Sequence, residues 1–368
     1  MPFRPVFATL VLAVAGLASG SANAVPLSSS EILKQFNTVV LGSATSSSHT
    51  DGRTYVGGAL SGGDYVQHIN QTPQSSYAGL TVAGSASNVK VNGLGAVVGG
   101  GLSNSTVNHG SSVIKGGVSN SNLNGAAYVE GSSSGNFNGG KLTTPDEVMV
   151  ANLVASTSTD FRSVLGGLSD SLKTLGSTGS SVTFDGNLAI FNAVVNGDGL
   201  AVFDLTAIDT VLFSKGEFRF NLNGASSVIL NTDVKSANIS ANFLGGSAQQ
   251  DGSKLLWNFY NATDLTINNQ WGGSLLATGA YLTNNQNIEG GVFVNGLDQR
   301  GEIHLQSFTG TLGGNGGNGG DGAPAASVPE PGSMALFAAG LGVMGWLSRR
   351  ARRPSAPRHQ PLAGSLAG

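Results

Sequence analysis

The sequence predicts a mainly β protein, a β-solenoid of β-helix-like form with a helical insert packed on its flank. Three observations predict it. Glycine supplies 56 of 368 residues, roughly twice the usual share, without the three-residue period of collagen. A segment repeats at a spacing near 16 between residues 82 and 135. After about residue 182, short apolar runs recur between Asn-Gly, Asp-Gly and Lys-Gly hairpin turns.

The repeat comes first. Val82–Asn88, Val98–Asn104, Ile114–Asn120 and Val129–Gly135 align without gaps, their β-branched first residues spaced 16, 16 and 15 apart. Gly84, Gly100, Gly116 and Gly131 follow in step, and an earlier copy, Val56–Gly62, is set off by a longer excursion through 63–78. Strands this short cannot form a stable sheet alone. Stacking them edge to edge satisfies their backbone N–H and C=O groups. Gly and Asn are expected at the corners, because both tolerate positive φ. The polar faces then align Ser87/Asn88, Ser103/Asn104 and Ser119/Asn120. Such rows are candidates for hydrogen bonding to sugars, or else are corner residues that satisfy the backbone.

A change of period follows. Thr144-Pro145-Asp146-Glu147 reads as a helix start, with a cap, Pro in the first turn and acids facing the helix dipole. Phe161, Val164, Leu165, Leu168, Leu172 and Leu175 keep helical spacing. One or two helices over 145–175 are expected, with this stripe against the flank. Strands are expected at Leu188–Phe191, Leu200–Phe203, Val211–Phe213, Phe218–Leu222 and Val228–Leu230. Others follow at Leu255–Tyr260, Leu265–Ile267, Leu275–Ala277 and Val292–Val294. The Gly-rich block is too poor in apolar side chains to stand alone, so one domain over 25–312 is expected.

Both ends read as processing signals. Arg4, the apolar run Phe7–Leu17 and Ala22-Asn23-Ala24 have the order of a secretory signal, so 1–24 is set apart, with Ala22 and Ala24 forming its A-x-A cleavage site. Residues 313–327 read as a Gly-rich linker. Val328-Pro329-Glu330-Pro331, a short apolar run over 334–347, and Arg349, Arg350, Arg352 and Arg353 follow. This order resembles the PEP-CTERM sorting signal, over 328–353. The resemblance implies a short transmembrane helix, processing by an exosortase, and delivery to the surface or matrix of a Gram-negative bacterium. Residues 354–368 would be a cytoplasmic-side tail. Residues 25–331 carry all 21 acids and 12 of the 18 basic residues, a net charge of −9 with neutral His. A basic stripe for nucleic acid is absent from this balance.

Three further stretches resemble one family, the choice-of-anchor A domain. They are Phe36–Gly42 followed by Asp51-Gly52-Arg53-Thr-Tyr-Val-Gly-Gly58, then Trp257–Ile267, then Ser274–Ala277 with Ile288-Glu-Gly-Gly-Val292. They span most of 32–305. Ser43 and Thr278 depart from residues frequent in the family. The resemblance implies a surface adhesin.

Tests for chemistry give little. Gly131–Gly135 matches a hydrolase string, and Ser87…Lys90 and Ser112…Lys115 match S-x-x-K, all inside a Ser-rich repeat without partner motifs. His49, His68, His109, His304 and His359 are scattered, with no pair at helical metal-ligand spacing, so no metal or cofactor is expected. Asp185, Asp198, Asp204 and Asp209 read as turn residues. Gly316–Asp321 resembles part of one calcium nonapeptide, and linker is the preferred reading. The expected function is non-catalytic adhesion or attachment to exopolysaccharide. A polysaccharide-active enzyme and an ice-binding protein are the alternatives.

Overall fold

The structure, a computed structural model, describes residues 25–313. The expected signal peptide, sorting signal and tail, and all of the linker beyond Gly313, lie outside the described residues. The chain is mainly β, with a long parallel sheet of 27 strands consistent with a solenoid-like fold, a second sheet of four strands, and few helices.

The long sheet runs in three rows of paired strands. In the first row Val40, Val56, Val82, Val98, Ile114 and Val129 stand in one register and point into the core. The β-branched residues that betray the repeat are therefore rungs of one apolar ladder. The second row aligns Leu60, Ala86, Leu102 and Val118, and the third Tyr65, Val91 and Val107, all buried. Burial of these side chains supplies the main driving force, at about 25 cal/mol per Å² of apolar surface.

The order of strands is not the order of the chain. Thr38–Val40 pairs on one side with Thr54–Val56 and on the other with Val292–Val294. Ala44–Ser46 likewise pairs with residues 297–299, and Thr50 with Ile303. The N-terminal block thus builds outward from a central seam. The chain then returns through two helices, and the C-terminal block builds back toward the same seam. The C-terminal core is wider and aromatic: Trp257 lies 4.7 Å from Trp271 and 5.8 Å from Phe191.

The helices are α1 (Ser29–Gln35), α2 (Glu147–Ser158) and α3 (Phe161–Lys173). The cap of α2 is Asp146, whose Oδ1 accepts from the Met149 N–H at 2.8 Å. Thr144 and Pro145 precede the helix instead of starting it. In α3 the residues Phe161, Leu165, Leu168 and Leu172 are buried against Ile229, Leu256, Leu276 and Phe293 of the first row. Met149 of α2 packs with Val97 and Val113. The outward side of the first row is thereby covered.

Three expectations are corrected. Val211-Leu212-Phe213 is not a strand: Asp209–Leu212 is a short helix ending at Phe213. Hairpins do not organise the C-terminal block, since among the described strands the antiparallel pair is Ser181–Asp185 with Leu188–Asn192. Parallel stacking wins because each turn finds its partner in the next turn. Finally, the in-phase glycines do not serve positive φ. A Cβ on Gly116 would lie 2.5 Å from the Gly100 carbonyl carbon, and one on Gly131 would lie 2.6 Å from that of Gly116. Close backbone approach is what requires glycine there.

Candidate functional site

Among the described residues, the outward side of the second row is open to solvent. Its outward residues form one continuous register: Asn238, Thr266, Thr283, Asp298, Thr45, Ser61, Ser87, Ser103, Ser119 and Ser134. All are exposed or half-exposed. Parallel strands lie about 4.8 Å apart, so ten rungs make an array roughly 43 Å long. A shallow groove of about 420 Å³ follows part of it, lined by Ser61, Ser87, Ser103 and Ser119 among others.

Of the sequence-predicted residues, Ser87, Ser103 and Ser119 stand in this array. Asn88 and Asn104 lie just past the strands that carry Ser87 and Ser103, and Asn120 lies within Val118–Leu123, where the register shifts. They occupy the next corner at φ of 56°, 51° and 45°. At that corner the Asn120 amide donates to Asn104 Oδ1 at 2.8 Å. Ala22, Ala24, Val328, Pro329, Glu330, Pro331, Arg349 and Arg350 lie outside the described residues. Asp204 accepts from the Thr206 backbone N–H in a turn, and Asp209 is buried and accepts from Thr232 Oγ1. Lys90 and Lys115, the S-x-x-K lysines, pair with Asp64 and Glu130.

The third row holds a second constellation, gathered by the seam. His304 Nδ1 lies 2.8 Å from Glu289 Oε1, and its Nε2 lies 2.8 Å from Glu302 Oε2. His49 faces Glu302 Oε1 through Nδ1 and Asp51 Oδ1 through Nε2, both at 3.7 Å. His68 Nδ1 lies 3.4 Å from Asp51 Oδ2. The Asp51 and Glu289 side chains are only 4% and 3% exposed. Three histidines that are scattered in sequence thus meet three carboxylates. The signal for them is strand periodicity: His49 and Asp51, like Glu302 and His304, are two apart and face the same way.

The hydrogen bond to Glu289 pulls His304 up to about 9, against its partial burial, with Glu302 and the charge of Asp51 assisting. The bond from His304 in turn holds Glu302 below the ordinary carboxylate range. A histidine that holds its proton more tightly when folded stabilises the fold fully below its ordinary 6.5, and loses that contribution as pH rises through about 9. In metal-free buffer the thermal midpoint should fall over this window in the parent and less steeply in His304→Gln. Equal slopes would refute the assignment.

The motif residues meet at the same place. Asn37 Nδ2 donates to the His304 carbonyl at 3.0 Å, and its Oδ1 accepts from the Gly52 N–H at 3.0 Å. Asp51 Oδ2 accepts from the Leu305 N–H at 3.1 Å. A Cβ on Gly52 would lie 2.7 Å from Leu305 Cδ1. The Phe36-Asn37, Asp51-Gly52 and Ile288–Gly290 stretches are therefore parts of one closure.

The class of architecture is a long parallel β-stack with an exposed polar row. Residues 29–305 match the family described as "Putative Ice-binding-like adhesive domain", and the chain belongs to that family. Residues 327–353 match the PEP-CTERM protein-sorting motif. No curated protein and no solved structure matches the chain. The adhesive domain with this motif suggests a secreted, exosortase-sorted surface protein. The motif implies export and surface localisation in Gram-negative bacteria, with membrane anchoring before processing. Among the described residues, no helix is long and apolar enough to cross a membrane.

Proposed function

We propose that this chain is a choice-of-anchor A β-solenoid that attaches its cell to exopolysaccharide or other extracellular matrix without catalysis. The continuous second-row array is the observation that carries this reading. Hydroxyls and amides on it both donate and accept, and they repeat at the strand spacing. Each contact is weak in water. An extended polysaccharide engages many of them at once, and the contacts reinforce one another. A shallow groove suits a chain better than a small molecule, which needs enclosure.

The test replaces Ser87, Ser103 and Ser119 together by Tyr, which obstructs the array without touching the inward ladder. Binding of the exported protein to matrix polysaccharide should fall at least about tenfold, the equivalent of 1.4 kcal/mol, with the melting curve unchanged. Undiminished binding would sink the reading.

A second reading is adhesion to ice. Thr45, Thr266 and Thr283 stand in the same array as the serines, and the family description is ice-binding-like. Flat, regularly spaced hydroxyls can order water. Thermal hysteresis abolished by the same triple variant would favour this reading over the first. Oligosaccharide release from matrix polysaccharide would instead favour a polysaccharide-active enzyme.

A further inference from the structure

We propose that His49, Glu302 and His304 bind a divalent transition-metal ion at the seam. One donor atom from each residue lies within 4.8 Å of the other two. His49 Nδ1 and His304 Nε2 both face the Glu302 carboxylate, at 3.7 and 2.8 Å. A small movement brings three such atoms to one ion. Imidazole and carboxylate donors suit Zn²⁺ and its neighbours better than Ca²⁺ or Mg²⁺, which prefer all-oxygen shells.

The surroundings carry the inference further than the three donors do. Each histidine has a buried carboxylate behind its other nitrogen. Glu289 Oε1 lies 2.8 Å from His304 Nδ1, and Asp51 Oδ1 lies 3.7 Å from His49 Nε2. This is how metal-binding imidazoles are oriented and made more basic. Glu289 is itself held by the Gln270 and Gln306 amides at 2.7 and 3.2 Å. Asn287 Nδ2 donates to Glu302 Oε2 at 3.1 Å, and its Oδ1 accepts from the Glu302 N–H at 3.1 Å. His304 and Glu302 are thus fixed from behind by hydrogen bonds, and His49 faces Asp51 at ion-pair distance.

Binding is an exchange of a proton for the ion. The Nε2 proton that His304 shares with Glu302 leaves to solvent, and the Nδ1 proton stays on the imidazole, donated to Glu289. Three protein ligands leave a fourth tetrahedral position for water. The ion also ties His49 of the N-terminal block to Glu302 and His304 of the C-terminal block. It binds only where the seam is closed, so it stabilises the folded state by mass action.

The experiment uses the full chain, stripped with chelator and titrated with Co²⁺ alone. One Co²⁺ per chain should bind with visible ligand-field bands, Zn²⁺ should displace it, and each metal should raise the melting temperature. His49→Ala and His304→Ala should abolish the bands, while His68→Ala, His109→Ala and His359→Ala should leave them. Glu289→Gln should weaken binding roughly 10- to 100-fold, as loss of such an orienting partner does. Glu302→Gln tests the site in a half-exposed, isosteric change that keeps the fold, and it should weaken binding by more than roughly tenfold. Absence of saturable binding to the folded chain would overturn the proposal. So would binding that survives both His304→Ala and Glu302→Gln, or that disappears with His359→Ala.

Discussion

Arg53→Ala is expected to cost about 3 kcal/mol or more, because hydrogen bonds from a charged group are worth about 1.5–3 kcal/mol each. Arg53 is 2% exposed. Its Nε donates to the Tyr77 carbonyl at 3.1 Å, and its Nη1 to the carbonyls of Gln35 at 3.1 Å and Pro73 at 2.8 Å. Those three carbonyls end α1 and hold the excursion between the second and third turns of the stack. Removing the guanidinium orphans all three and leaves a hole. The damage spreads, because Tyr77 stacks edge-on to Phe36 and Phe161 at 5.1 and 5.6 Å. Arg53→Lys keeps the charge but loses the planar fork, so it should recover only part of the loss. Urea unfolding measures both. A parent-like midpoint for Arg53→Ala would show that the carbonyls find other partners.

Asn258→Asp is expected to be comparably severe, although it changes one atom group and no volume. Asn258 is fully buried. Its Nδ2 donates to the Ser169 carbonyl at 3.0 Å and to Asn231 Oδ1 at 2.9 Å, and its Oδ1 accepts from Ser169 Oγ at 2.6 Å. Asn231 Nδ2 then donates to the Leu172 carbonyl at 2.8 Å. This chain of amides latches α3 onto the first row. A carboxylate would put oxygen against two acceptors and a charge where water cannot reach, a loss of about 3 kcal/mol or more. Thermal melts, with circular dichroism to follow helix content, check it. A midpoint shift smaller than that of Asn258→Ala would mean that the latch contributes little beyond packing.

Much of this architecture is legible in the residues. Val82, Val98, Ile114 and Val129 announce the stacking period because an inward rung tolerates only apolar side chains. The stripe from Phe161 to Leu172 announces α3 for the same reason. The glycines are visible but their cause is not, since crowding by the neighbouring turn leaves no local trace. Val211–Phe213 reads as a strand because three apolar residues fit either period. The seam is hidden for a different reason. Pairing between Thr38 and Val292 depends on where two blocks end in space, and neither sequence carries the other's register. The histidine–carboxylate cluster is hidden with it, and so is the extension of the Ser row through Thr45 into Thr283 and Thr266.

The seam also sets a timetable. Its hydrogen bonds join residues up to 267 apart, as between Asn37 and His304. Contacts of such high contact order form late, because a long loop must close before they return any energy. A polypeptide emerging N-terminus first can stack its early turns, but the edge of Thr38–Val40 waits for the last strands to arrive. Until then it is a bare strand edge, open to pairing with a neighbouring chain. The final residues of the domain therefore act as its seal, and nascent chains that stop short of residue 292 should be the ones that aggregate.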